Sequence, residues 1–396
     1  MSRLLFFALI WTPLMHGAAA TVLVVPFHND SQNADLNWIG ESVSETISTE
    51  LSASGQIVLD RDTREEGYHQ LGLKPDALLT KATLWKLGQT LDADHVCYGA
   101  YQISLPTPDA HARDGSIRIS ARFLDLKKLR DANEFSEAGK LADLSRLEEH
   151  LAWQTIRYLD PNSSITADQL LKPSNLTRLD AKESYIRGLL STNDEQRQKW
   201  FQQAVALDPQ YAQPQYELGK LALTQKQYPL AVKWFAKVPS GDPLYLEAQF
   251  RMGLSSYLAG DFRTAETCFR NLSQAAPLNE VFNNLGAAES RLNESTAMGD
   301  LHRALEGDET DSTYNFNIGL LLYRQADYDN AARYFAAVVK RNPEDYEAGT
   351  LLARCRQRMP PDELTNPKLI ASERLKKNFD ITAFRQLKAM LQSSKQ

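Results

Sequence analysis

The sequence predicts a chain in two parts: a mixed-sheet α/β domain, then an all-α solenoid of antiparallel helical hairpins. Three observations carry this. Gly219, Gly253, Gly286 and Gly319 each follow a large apolar residue (Leu218, Met252, Leu285, Ile318), at spacings of 34, 33 and 33 residues. In three of those units a small residue, an aromatic and a proline follow at fixed distance: Ala231, Phe235, Pro243; Ala265, Phe269, Pro277; Ala331, Phe335, Pro343. Ahead of them, between Thr21 and Asp160, short β-branched runs alternate with helical periodicities, the order expected of an α/β domain.

Taken from its start, the chain opens on a segment, 1–20, that reads as a secretory signal peptide. Arg3 supplies a positive n-region, Leu4 to Trp11 is an apolar run too short to span a bilayer, and Ala18, Ala19 and Ala20 are the small residues of a cleavage site. Cleavage near Ala20 would leave a mature chain starting at Thr21, periplasmic or secreted in a Gram-negative-type bacterium. No cysteine lies beside the segment, so lipid-anchored export is not indicated. No later stretch reaches the ~18 uninterrupted apolar residues of a membrane span, so the mature chain is expected to lack a transmembrane segment.

Residues 21–160 form the α/β part. Val22 to Val25 is a continuous apolar run ending at Pro26, as in a strand buried on both faces. Leu36, Ile39, Val43, Ile47 and Leu51 recur at helical steps, Ile57 to Leu59 gives a short strand, Thr83 to Leu91 a helix, and His95 to Ile103 a third strand. From Ser116 to Leu126 alternation is strict, with Ile117, Ile119, Ala121 and Phe123 opposite Arg118, Ser120 and Arg122. Ala132 to Ala138 should return antiparallel to it, and Leu144 to Leu159 should close the domain as a helix.

Several residues in this part carry a resemblance. Val24-Val25-Pro26-Phe27 with Asn29, Leu36 to Gly40, Leu87-Gly88, Leu91 to Asp94, Gly99 and Arg122 to Asp125 stand in an order similar to the bacterial envelope domain shared by the TolB N-terminal region, FlgO and CsgG proteins. That resemblance implies an exported, non-catalytic module associated with envelope assemblies, through which the chain could also form a homo-oligomer. The long alternating strands of a curli-type pore are missing, which argues against a secretion channel.

Residues 161–177, rich in Pro, Asn, Ser and Thr, are the expected linker, with room for one helical turn over Ala167 to Leu171. Repeats then occupy 178–358, about five with a partial sixth. The first is abbreviated (Tyr185, Gly188, Phe201, Ala204, Pro209), and the fourth deviates, with Ala297, Leu301 and Ala304 one residue early. Within a unit, glycine and alanine let two helices approach, and the phenylalanine fills the space beside them. The pattern resembles the tetratricopeptide repeat, whose units stack into a superhelix with a long concave surface. Residues 359–396 are expected to add capping helices, Ile370 to Asn378 and Ile381 to Gln392.

Composition and motifs exclude several classes of function. The net charge of −6 argues against a nucleic-acid-coating protein, although Tyr346 to Gln396 alone carries ten Lys or Arg against five Asp or Glu. No zinc-protease, paired-cysteine, P-loop or nucleophile-elbow motif is present, so no catalytic residue, metal or cofactor is assigned. Cys97, Cys268 and Cys355 sit in contexts that look like packed elements, and no structural disulfide is expected. His28, Asn29 and Asp30 read as a turn after the first strand.

Binding is therefore assigned to the concave wall of the repeats. Counted from the signature glycines, the groove positions include Tyr216, Phe250, Tyr257, Asn283, Asn284, Arg291, Asn317, Tyr323 and Arg324. Asn284 and Asn317 match positions where some members of the repeat family hold a ligand's backbone. With Arg291, Arg324, Arg354 and Arg358 on the later units, the groove is expected to be aromatic in its middle and basic toward its end. Such a groove suits an extended peptide with an acidic or carboxylate terminus. The expectation is an exported envelope adaptor that binds a protein or peptide partner and is not an enzyme. The alternative is a periplasmic receptor for a small molecule or glycan, using the α/β domain.

Overall fold

The computed structural model describes residues 20–361 and 372–378, apart from 32, 75–76, 106, 108–113, 129, 132–133 and 173–175. The expected signal peptide, save Ala20, and the expected helix over 381–392 lie outside the described residues. The chain divides into two compact units, 1–172 and 173–396.

In the first unit, β1 (Thr21–Val24) and β2 (His28–Asn29) precede α1 (Trp38–Ala53), β3 (Ile57–Val58), α2 (Arg61–Gln70) and α3 (Lys81–Thr90). Then come β4 (His95–Ser104), β5 (Ser116–Asp125), β6 (Arg130–Asp131), β7 (Phe135–Lys140), α4 (Leu144–Leu159) and α5 (Ala167–Leu170), which lies within the stretch expected to be a linker. The sheet runs β3-β1-β4-β5-β6, with β2 added to β4 and β7 to β5. β1 is parallel to β3 and β4, whereas β4, β5 and β7 pair antiparallel, so the sheet is mixed. Parallel neighbours need helical crossovers, and α1, α2 and α3 supply them.

Alternation along the strands divides the core into two. Leu23, Val25, Val96 and Leu124 pack against Tyr68 of α2 and Leu84 and Leu87 of α3. On the opposite face Phe123 stacks on Tyr158 of α4, ring centroids 5.0 Å apart, and α4 packs beside α1. The unit is thus a three-layer sandwich. Close approach explains two of the glycines: a Cβ on Gly40 would sit 2.1 Å from the Phe27 carbonyl oxygen, and one on Gly99 2.0 Å from that of Ser120. His28 and Asn29 are not a turn, as expected, but pair in parallel with Ala100 and Tyr101. The Asn29 amide then donates to the Asn33 carbonyl (3.0 Å) and to Asn37 Oδ1 (2.7 Å).

The second unit is the helical-hairpin solenoid. Its pairs are α6 (Leu179–Leu190) with α7 (Asp194–Leu207), α8 (Ala212–Thr224) with α9 (Tyr228–Phe235) and α10 (Tyr245–Leu258) with α11 (Phe262–Ala275). Next come α12 (Asn279–Arg291) with α13 (Ala297–Gly307) and α14 (Ser312–Arg324) with α15 (Tyr328–Arg341); α16 (Tyr346–Arg356) packs on α15. Inside a hairpin the signature glycine touches the signature ring: a Cβ on Gly219 would lie 2.5 Å from the Phe235 ring, and the same holds for Gly188 with Phe201. In the deviant fourth unit Leu301 takes the place of the ring beside Gly286. Each turn between paired helices in units two to five passes through one residue of positive φ, at Lys226, Gly260, Asn293 and Ala326.

One expectation fails at the C-terminal end. Of the helix expected over Ile370 to Asn378, the described part, Ser372 to Asn378, contains no helix and runs along the face lined by α10, α12 and α14. The composition of Ser-Glu-Arg-Leu-Lys-Lys-Asn favours a helix on local grounds. Side chains of the solenoid satisfy its backbone instead, and tertiary contacts override propensity.

Candidate functional site: a groove that holds an extended segment

The segment is gripped first by its main chain. Asn317 on α14 accepts a hydrogen bond from Arg374 N (2.7 Å) and donates one to the Arg374 carbonyl (2.8 Å). Asn284 on α12 does the same for Lys376, accepting from its N–H at 2.8 Å and donating to its carbonyl at 2.9 Å. A primary amide carries a donor and an acceptor on one plane, so each asparagine pairs with a residue as a neighbouring strand would. The two residues held are two apart, the period of an extended chain. Asn283 ties the pair together by donating to the Arg374 carbonyl (3.0 Å) and to Asn284 Oδ1 (3.0 Å) while accepting from Asn317 (2.8 Å). All three amides are fully buried, where an unpaired polar group costs about 1–3 kcal/mol.

Side chains of the segment then meet complementary chemistry. The Glu373 carboxylate is buried; it accepts from the Tyr257 hydroxyl at 2.7 Å, pairs with Arg324, and has Arg291 at 3.9 Å. Burial and the adjacent Glu373 charge push the Tyr257 hydroxyl well above its ordinary range, so it remains a donor. Leu375 rests on the apolar cluster that includes Phe250, Leu254, Tyr257 and Leu285. Arg374 forms a two-pronged pair with Asp345 (2.6 and 2.9 Å), reaches Glu347 (2.9 Å) and stacks 3.5 Å from the Phe316 ring centre. The Arg374 hydrogen bonds hold the Asp345 carboxyl below the usual carboxylate range. Lys376 pairs with Asp311 and lies 4.7 Å from the Tyr314 ring centre.

Of the groove residues expected from sequence, six touch the segment directly or through charge: Tyr257, Asn283, Asn284, Arg291, Asn317 and Arg324. Phe250 is buried against Phe269 and contributes to the floor under Leu375. Tyr216 packs on Phe235 and accepts a hydrogen bond from Arg251 (2.7 Å), which joins two hairpins. Tyr323 donates to the Met359 carbonyl (2.9 Å) and accepts from Arg354 (3.0 Å), so it fastens the end of α16.

The expected basic end of the groove is corrected as well. Arg354 also donates to the Pro360 carbonyl and Arg358 pairs with Asp329, so these cations hold their own chain. The segment meets the carboxylates of Asp311, Asp345 and Glu347 there instead. Those three are missing from the sequence-based set. A signal existed: Asp311 and Asp345 lie 34 residues apart and both cap first helices.

A separate group of carboxylates lies where α11 meets α12. Glu266, Glu289 and Glu294 bring ligand oxygens within 4.8 Å of one another. The guanidinium of Arg270 sits among them, 2.8 Å from Glu289 and 3.4 Å from Glu294, and pairs with Glu266. Burial raises the Glu289 carboxyl to about 7. An arginine already occupies the cation position, and the group joins the third and fourth hairpins.

Comparison with known proteins agrees with the solenoid. Residues 198–245 and 316–356, both within hairpins of the solenoid, match the family model described as tetratricopeptide repeat. No curated protein sequence matches the chain significantly. Similar solved structures include MamA from Desulfovibrio magneticus RS-1, with 21% identity over 42% of this chain and 97% of that one, TM-score 0.38. Another is YrrB, described as a TPR protein with an unusual peptide-binding site, with 20% identity over 50% of this chain and 98% of that one, TM-score 0.34. A third is the LpoB C-terminal domain from Salmonella enterica, with 17% identity over 31% and 84%, TM-score 0.24.

Proposed function

We propose that this protein is an exported, non-catalytic scaffold of the bacterial cell envelope whose repeats bind a protein partner as an extended segment in the groove. One observation carries the binding part of this reading: the groove holds an extended stretch of polypeptide by its main chain, through Asn284 and Asn317, with a charge partner for each ionic side chain. Amides, ion pairs and an apolar floor recognise a peptide; they do not make or break its bonds. The export part rests on the leader-like segment 1–20 and on the resemblance of 21–160 to the TolB-N/FlgO/CsgG envelope domain. That domain would supply the contact with the envelope assembly, or with a second copy of the chain, while the groove takes the partner.

Both parts are open to test. Fractionation of cells making a C-terminally tagged chain, with N-terminal sequencing of the product, should place it in the periplasm beginning at Thr21. A cytoplasmic product that retains Met1 or Ser2 would remove the envelope from the reading. For the groove, the wild type and an Asn284→Ala/Asn317→Ala variant are compared on an array of peptides drawn from envelope proteins. Peptides bound by the first and lost by the second are expected, and identical profiles would count against the groove.

A further inference from the structure

The groove is occupied by the chain itself, and what occupies it has a pattern. Across four consecutive residues the solenoid presents a cationic pair and a hydroxyl to Glu373, two carboxylates and an aromatic face to Arg374, an apolar floor to Leu375, and a carboxylate and a ring to Lys376. We infer that the groove is selective for an extended segment reading acid, arginine, leucine, lysine, and that Glu373 to Lys376 is a resident copy of that ligand which a partner's segment must displace. This inference rests on the groove being a peptide site and adds to it the ligand's pattern and the state of the empty-handed protein.

Three features argue that the pattern is read. Glu373 is the most deeply buried residue of the segment, and a buried carboxylate is tolerated only where cations and donors meet it. Replacing it by a neutral or basic residue leaves Arg324 and Arg291 facing each other with no anion between them. At the next position, a planar guanidinium fits a two-pronged carboxylate and a ring face together, which an ammonium does not do. The asparagines, by contrast, bind any backbone, so they set extension and register while the side-chain contacts choose the sequence.

A resident ligand taxes a competing one. A partner's segment finds the groove free only for the fraction of time that 372–378 is released, and its apparent affinity falls by that fraction. The partner binds when its own pattern, its local concentration or additional contacts outweigh the tethered copy.

The test uses the full chain and a labelled peptide of sequence Ser-Glu-Arg-Leu-Lys-Lys-Asn, followed by fluorescence anisotropy. Three proteins are compared: wild type, a Glu373→Ala/Arg374→Ala variant that weakens the resident segment without touching the groove, and that variant with Asn284→Ala and Asn317→Ala added. The released variant should bind the peptide about tenfold or more tightly than wild type, and the version lacking the asparagines should lose binding. A scrambled peptide, and one carrying the Glu373→Gln change, should each bind the released variant about tenfold or more weakly.

Equal affinity of wild type and released variant would overturn the resident ligand while leaving the groove reading in place. Equal binding of the scrambled peptide would overturn the selectivity. No binding of any peptide to the released variant, folded by circular dichroism, would sink the groove reading itself. Should that variant not fold, hydrogen exchange on the wild type decides. Saturating peptide should speed exchange at the Arg374 and Lys376 amides, which Asn317 and Asn284 hold, and unchanged protection would overturn the inference.

Discussion

At the scale of the residue, two positions carry free energy that a single substitution exposes. Glu289 is fully buried, and its carboxyl is raised from its ordinary 4.5 to about 7. A carboxyl raised on folding adds stability that is complete below its unfolded pKa and is lost as pH rises through the folded one. Glu289→Gln should therefore raise the melting temperature relative to wild type at about pH 8, and the gain should shrink or vanish at about pH 4.5. A gain independent of pH would show that burial of charge is not the cause. Ala326 has φ of 60° in an exposed turn between α14 and α15. Alanine in that region is strained by about 1 kcal/mol where glycine is not. Ala326→Gly is expected to stabilise the chain by ~0.5–1 kcal/mol in urea denaturation, and destabilisation would show that the turn does not impose the strain. The asparagines belong at this scale too: the sequence shows Asn284 and Asn317 at matching repeat positions, but only the folded chain brings Asn283 between them as a link.

At the scale of the element, the hairpin is decided by one contact repeated. Gly219 on α8 meets the ring of Phe235 on α9 so closely that any Cβ would intrude. Alanine in mid-helix gains ~1 kcal/mol over glycine by propensity, whereas overpacking a fully buried ring costs about 1–3 kcal/mol. The steric term should win, so Gly219→Ala is expected to lower stability in the same denaturation assay; a gain would mean that the ring can shift. These hairpins are legible in sequence because glycine, small residue and aromatic lie within one unit and recur. The segment over 372–378 is not legible in this way. Its residues have no periodic partner nearby in sequence, and its backbone is satisfied by side chains on α12 and α14, which begin 95 and 62 residues before Arg374. Read alone, it looks like another helix.

At the scale of the second unit as a molecule, the solenoid offers a surface and its own tail covers part of it. Trypsin cuts after arginine and lysine, and Arg374, Lys376 and Lys377 all lie in the covered stretch. Cleavage there requires local release, so it should be about tenfold or more faster in an Asn284→Ala/Asn317→Ala variant than in wild type, followed by mass spectrometry of the fragments. Equal rates would mean that the asparagines do not hold the segment.

By itself the sequence determined the two-part architecture, the mixed sheet, the helical hairpins and the amide positions of the groove, because each depends on periodicity or spacing within a few tens of residues. Only the tertiary structure decided which of the expected groove residues are core, that acidic caps rather than arginines meet the basic side chains, and that the groove is filled. Those outcomes depend on which groups distant in the chain become neighbours, and a charge or a backbone amide takes its role from the partner it meets.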